Sequence, residues 1–279
     1  MIFNITHHTL YEYRKSVFLE PHILRFRPTC DVTQRLISFS LKIAPLPAGQ
    51  ADYVDLDGNC VTQVWFEKLT PTFRIEASSQ VETLRKNPFD FLIDKSQIAS
   101  LGYHSELFPF FDKTRKSSGI SQSVENLSQK IAKGSNGDVL TFLSSLNHYI
   151  ATEIKYVSRT TGVPYGSDLT LAEGKGACRD VAVLFIDCCR ALGIPARFVS
   201  GYSENSRDGE RHDLHAWAEV CLPSGGWRGY DPSSGLVVAD RHVIVARSYL
   251  PLGTAPVTGT IRSNDSVSHL STEISVTSV

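Results

Sequence analysis

The chain has 279 residues, 42% of them hydrophobic and 20% charged, with a formal net charge of -1. That composition excludes a disordered or membrane-embedded chain, and so small a charge gives no electrostatic basis for binding nucleic acid or an anionic bilayer. The length suits one large domain or two modest ones with an ample core.

The opening MIFNITHHTLYEY lacks the basic and apolar regions of a secretory leader, and no run approaches membrane-spanning length. Six cysteines, Cys30, Cys60, Cys178, Cys188, Cys189 and Cys221, are scattered without the spacing of a disulfide framework. Such usage suits a reducing compartment, so the expectation is a cytoplasmic protein.

Residues 1–93 read as β structure. Short half-buried strands are expected over 2–6, 9–13, 23–28, 36–43, 61–66, 73–77 and 80–84. Asp57-Gly58-Asn59 is a turn signal. Many short strands with turns between them predict a small sandwich. His7 and His8 make a poor metal site, because neighbours on a strand point to opposite faces. Cys30 and Cys60 are expected to pack, and Trp65 to lie in the core or at a domain interface.

From Asn87-Pro88 to Gly119 the pattern loosens, and residues 94–120 read as a linker. Its aromatic patch, Leu107 with Phe108, Phe110 and Phe111, is expected to plug the space between domains rather than wall a substrate groove. Helices are expected over 121–133 and 138–153, the second with Val139, Phe142, Leu143, Leu146 and Ile150 on one stripe. A polar loop over 158–170 returns the chain to Gly174.

The stretch GKGACRDVAVLFIDCCRALGIPARFVSG, residues 174–201, organises the second half of the chain. Val181, Ala182, Leu184, Phe185, Cys188, Cys189 and Leu192 recur at helical spacing, and Gly193 and Pro195 end the run. Cys178 thus opens a buried helix, where unpaired N–H groups and the helix dipole favour a thiolate, the nucleophilic form of cysteine. Cys188 and Cys189, deep in the apolar helix, read as inert core residues.

A strand over 213–220 carries His215, and a second, ending at Asp231, pairs with it through residues 223–226. Nucleophile, base and orienting carboxylate then come in the order Cys178, His215, Asp231. Asp180 lies in the first helical turn, where it serves the dipole or a buried pair, with Arg197 as the expected partner. Glu219 reads as a polar neighbour of His215. Arg211-His212-Asp213-Leu214-His215 falls short of a zinc-ligand spacing.

GACRD, GIPARFVSGY, HAWAEV and GYDPSSG, in that order, resemble the transglutaminase-like superfamily of papain-like thiol enzymes. ITHHTLYEYRKSV, EPHILRFRP and DLDGN resemble the N-terminal β-domain of its bacterial group. The resemblance implies an α+β chain: a β-sandwich-like domain over 1–93, the linker, a papain-like transglutaminase core over 121–255, and a tail over 256–279 whose strand, around 273–279, returns to a sheet. It implies Cys178 as nucleophile, His215 as base and Asp231 as orienting carboxylate. The Cys178 backbone N–H would be the first oxyanion donor, with Tyr156 a weak second. Trp217 would shield the ion pair or simply pack.

No metal or organic cofactor is implied. The expected partner is a peptide or protein amide substrate, with no nucleic acid and no membrane. The expected reaction is acyl transfer through a thioester, with hydrolysis ahead of amine transfer. The alternatives are a protein-glutamine transglutaminase, a non-catalytic binding module on the same fold, and a metal-dependent hydrolase using His212 and His215.

Overall fold

The computed structural model describes residues 1–93, 119–159, 161–204, 213–263 and 267–279. The chain opens with strands β1 (Ile2–Leu19), β2 (His22–Leu24), β3 (Gln34–Ala44), β4 (Gly49–Val54), β5 (Cys60–Trp65) and β6 (Leu69–Thr83). Helices α1 (Gln122–Gly134) and α2 (Val139–Glu153) come next, then β7 (Lys155–Tyr156), α3 (Ser167–Glu173), β8 (Lys175–Gly176) and α4 (Cys178–Ala191). The remaining elements are mostly strands: β9 (Ala196–Ser203), β10 (His215–Leu222), β11 (Gly226–Asp231), β12 (Leu236–Val237), β13 (His242–Ser248), β14 (Val257–Thr258), β15 (Ile261–Arg262) and β16 (Ser268–Ser278). Among the described residues α-helices occur only between 122 and 191, so the chain is more strand-rich than an evenly mixed α+β protein.

One sheet runs β15-β1-β6-β3, with β16 also on β1, and a second runs β14-β2-β5-β4. Val17, Leu19, Leu24, Phe26, Val64, Phe66, Phe73 and Ile75 fill the space between them. The separate strands expected at 2–6 and 9–13 are one strand. A register shift between Glu12 and Val17 carries β1 through the polar Arg14-Lys15-Ser16, where the apolar alternation fails. The runs at 73–77 and 80–84 likewise merge into β6. Trp65 is exposed rather than in the core, lying over Gly49, where a Cβ would stand 2.2 Å from its ring. Cys30 is also exposed, contrary to a packing role. The polar loop expected to 170 gives way at Ser167 to α3.

The third sheet is antiparallel, in the order β12-β11-β10-β9-β13. Ala216, Ala218, Val220 and Leu222 of β10 pack with Leu184, Phe185 and Cys188 of α4 in one core, to which Phe142, Leu143 and Leu146 of α2 also belong. The Ser128 hydroxyl donates to the Cys188 carbonyl at 2.6 Å, tying α1 to α4.

β13 is an edge strand, whose free backbone groups need partners when covered. The N-terminal region supplies them, through two side-chain amides and the Thr29 N–H, which donates to the Ile244 carbonyl at 3.0 Å. Gln34 accepts from Ile244 N–H at 2.8 Å and donates to the Ile244 carbonyl at 2.9 Å. Asn59 does the same for Arg247, at 2.8 Å each way. Behind this edge, Phe3, Ile5, Val81, Ile274 and Val276 meet Tyr202, Val243 and Val245 in a third apolar cluster.

His7 is buried at this junction, its Nδ1 2.9 Å from the Tyr202 hydroxyl, while His8 faces solvent. Burial, with a smaller push from His8, lowers the His7 pKa from 6.5 to about 4. The folded protein therefore refuses a proton that the unfolded chain takes up below about pH 6.5, and stability falls as pH drops from there toward 4. The wild type should lose about 2 kcal/mol between pH 7 and pH 5 beyond what a His7→Gln variant loses, by urea unfolding. Parallel stability curves for the two proteins would contradict this.

Candidate active site

The parallel pair β7–β8 sets Tyr156 beside Gly176 and delivers the chain to Cys178, the first residue of α4. Ala177 at the N-cap has no capping side chain, and Asp180 takes over the task. Its buried carboxylate accepts the Ala177 N–H at 2.8 Å and the Tyr165 N–H at 2.8 Å, and pairs with Arg159. One acid thus locks the helix start to the loop before α3. The expected pair with Arg197 is not formed, because Arg197 belongs to Glu219, at 2.8 Å. Cys178 is 8% exposed, and as the first residue of α4 its own N–H has no acceptor within the helix.

His215 begins β10, directly opposite Gly201 of β9, which in turn faces Ile244 of β13. A Cβ on Gly201 would stand 2.0 Å from the Val243 carbonyl oxygen and 2.7 Å from the Trp217 ring. Only glycine fits, and the space it leaves lets three rings gather across β9. Centroids are 6.0 Å apart for His215 and Trp217, 6.1 Å for His215 and His242, and 5.2 Å for Trp217 and His242.

Asp231, at the end of β11, is the hub of this group and is 1% exposed. Its Oδ2 lies 2.9 Å from Nε2 of His215 and 3.2 Å from Nε2 of His242. Its Oδ1 accepts the Ser233 N–H at 3.1 Å and the Ser233 hydroxyl at 2.6 Å. Burial alone would raise this carboxyl; the two imidazoles outweigh it and hold the group well below the usual carboxylate range. The mirror effect acts on His215. Burial would lower its pKa, but the Asp231 carboxylate, with help from a hydrogen bond to the Cys178 thiol, holds it well above 6.5.

The structure thus brings Cys178, His215 and Asp231 into one chain of contacts. Cys188 and Cys189 are fully buried, and burial drives both thiols far up. Glu219 stands apart from the hub, held by Arg197 and, at 3.3 Å, by Arg247. Asp213 is exposed, while His212 and the aromatic patch at Phe108, Phe110 and Phe111 lie outside the described residues. The imidazole of the hub that the sequence does not point to is His242. The run His242 to Val245 has β character, but nothing local places it beside Asp231. His215, Asp231 and His242 bring three metal-ligating atoms within 4.8 Å, and their N···O separations are those of hydrogen bonds.

This is a transglutaminase-like core preceded by a domain of its own, and comparison with known proteins places it. The model of the transglutaminase-like superfamily matches residues 125–232, and that of the bacterial transglutaminase-like N-terminal region matches residues 3–82. Together they span more than half of the sequence, and the chain belongs to the transglutaminase-like superfamily. It is 25% identical over 260 residues to an uncharacterized protein of Mycobacterium leprae, covering 91% of each chain. It is 26% identical to an uncharacterized protein of Mycobacterium tuberculosis, covering 98% of this chain and 92% of that one. A solved structure from Cytophaga hutchinsonii, titled a "Putative Cysteine Protease", shares the fold with a TM-score of 0.73 at 22% identity, covering 100% of this chain and 91% of that one.

Glu219 and Asp231 should fail differently when truncated. Glu219→Ala leaves Arg197 without its carboxylate in a mostly buried setting, while Arg247 keeps Asp31, and should lower the unfolding free energy by about 3 kcal/mol. The His215 imidazole should still titrate high in that variant. Asp231→Ala should instead lower the His215 titration strongly, since burial is then opposed only by Cys178. Histidine-ring NMR titrations beside urea unfolding check both; a high His215 titration surviving in Asp231→Ala would contradict the assignment.

Proposed function

We propose that this protein is a thiol-dependent acyl-transfer enzyme that cleaves peptide or side-chain amide bonds through Cys178, His215 and Asp231. The single observation behind this reading is the imidazole of His215, which meets the Cys178 thiol on one side and a buried, ionised carboxylate on the other. The arrangement is papain-like in our reading: the nucleophile opens a helix, and base and carboxylate stand on antiparallel strands packed beside it.

The chemistry follows from those positions. His215 takes the Cys178 proton, and its elevated pKa keeps that proton on the ring at neutral pH, favouring a thiolate–imidazolium pair. The thiolate attacks the amide carbonyl carbon. The oxyanion that forms lies at the start of α4, where the Cys178 N–H can donate to it and the helix dipole favours negative charge. As the C–N bond breaks, imidazolium gives its proton to the departing amine or ammonia, leaving a thioester on Cys178. His215, neutral again, deprotonates a water that attacks the thioester, and the collapsing intermediate releases a carboxylic acid and the thiol. Asp231 orients the ring and stabilises its charge throughout. No step calls for a metal or organic cofactor. All six cysteines are free, which suits work in a reducing, cytoplasmic setting.

Hydrolysis is preferred over amine transfer because water is abundant and the reaction needs no dedicated acceptor subsite. A glutamine- or amide-bearing peptide, offered with and without a fluorescent primary amine, tests this. Ammonia release that the amine leaves unchanged, with little label incorporated, is expected. Efficient incorporation at millimolar amine would make the protein a transglutaminase in activity. His215→Ala should slow acyl-enzyme formation by roughly two to four powers of ten, the span of general-base effects. Absence of turnover on every peptide and amide tried would favour a binding module on the same fold.

A further inference from the structure

We propose that His242 is a positioning residue of this site: its Nε2–H holds the Asp231 carboxylate in the orientation, and at the charge balance, that His215 requires. The inference rests on the reading of Cys178, His215 and Asp231 given above.

An ionised carboxylate only accepts hydrogen bonds, so both imidazole nitrogens facing Oδ2 must carry hydrogens. His242 is therefore fixed with its proton on Nε2, 3.2 Å from Oδ2, whatever the state of Nδ1. The side chain is 2% exposed, and Nδ1 has no hydrogen-bond partner among the described residues. A residue that merely filled this space would do so better as an apolar side chain, since a buried ring nitrogen without a partner costs stability. The hydrogen bond to Asp231 is what an imidazole adds at this position.

His242 also comes from a different element. His215 and Asp231 belong to β10 and β11, neighbouring strands of one hairpin, whereas His242 reaches Asp231 from β13, across β9 and β10. Without it, Oδ2 would be held by His215 alone, and only the Ser233 bonds on Oδ1 would fix the carboxylate independently of the ring it is meant to orient. The charge argument points the same way. His242 takes up part of the electron density of Oδ2, so it moderates how strongly Asp231 retains the His215 proton. The titratable groups that face it are Asp231 from β11 and His215 from β10, with Cys178 of α4 beyond His215; β9 presents Ser203 opposite.

The test uses the full-length protein, with His242→Leu to remove the donor and His242→Gln to keep an N–H at similar reach. In His242→Leu, kcat on an amide substrate should fall about tenfold to a hundredfold with KM within about twofold. The His215 ring, followed by NMR in histidine-labelled protein, should titrate at higher pH than in the wild type. His242→Gln should move both quantities back toward wild type. If the leucine variant does not fold, His242→Asn, too short to reach Asp231, takes its place with the same expectation. A His215 titration unmoved or lowered in the donor-free variant would overturn the proposal, even if the melting temperature drops, because packing alone would then account for His242. The NMR titration needs no substrate. If the wild type turns over no amide, a raised titration still upholds the role of His242 while the proposed reaction falls.

Discussion

A buried carboxylate without partners would simply take up a proton. Asp231 escapes this by collecting four hydrogen bonds, two from imidazoles on Oδ2 and two from Ser233 on Oδ1. Because the acid stays ionised, His215 stays protonated at a pH where an isolated buried imidazole would be neutral. The electrostatics at Cys178 descend from that one constraint. The rest of the core can be understood as the scaffold that brings four donors to one carboxylate in a dry setting.

The N-terminal strands take part in that scaffold. β13 carries His242, and its outer edge is satisfied by the side-chain amides of Gln34 and Asn59 and by the Thr29 N–H rather than by another strand. Loss of either amide would leave buried backbone groups of β13 unpaired. The first domain is thereby tied, through one edge strand, to the geometry around Asp231. Gly201 makes the complementary contribution from inside the sheet, since any side chain there would collide with Val243 and Trp217.

How much of this is legible in the sequence depends on the range of each signal. The helix opening at Cys178 is a local pattern of apolar spacing, glycine and proline, and α4 begins there. His215 and Asp231 are within reach of the sequence because they flank one hairpin, whose turn residues are visible at 223–226. The partner of Asp180 is not, since Arg159 and Arg197 are equally plausible until the loop before α3 is seen. His242, Gln34 and Asn59 cannot be read at all: their roles exist only when distant segments pack, and each looks like an ordinary polar residue. The merged strands β1 and β6 teach a related lesson, because a bulge can carry a strand through residues that break its pattern.

The central claim is that His215 activates Cys178, and competitive alkylation by iodoacetamide at pH 6, read by peptide mapping, tests it most directly. Cys30 is exposed and Cys178 nearly buried, so access alone favours Cys30. A thiolate held beside an imidazolium should reverse that order, with Cys178 labelled about tenfold faster or more, Cys188 and Cys189 hardly at all, and the advantage lost in His215→Ala. Labelling of Cys30 at a rate equal to or above that of Cys178 would contradict the account.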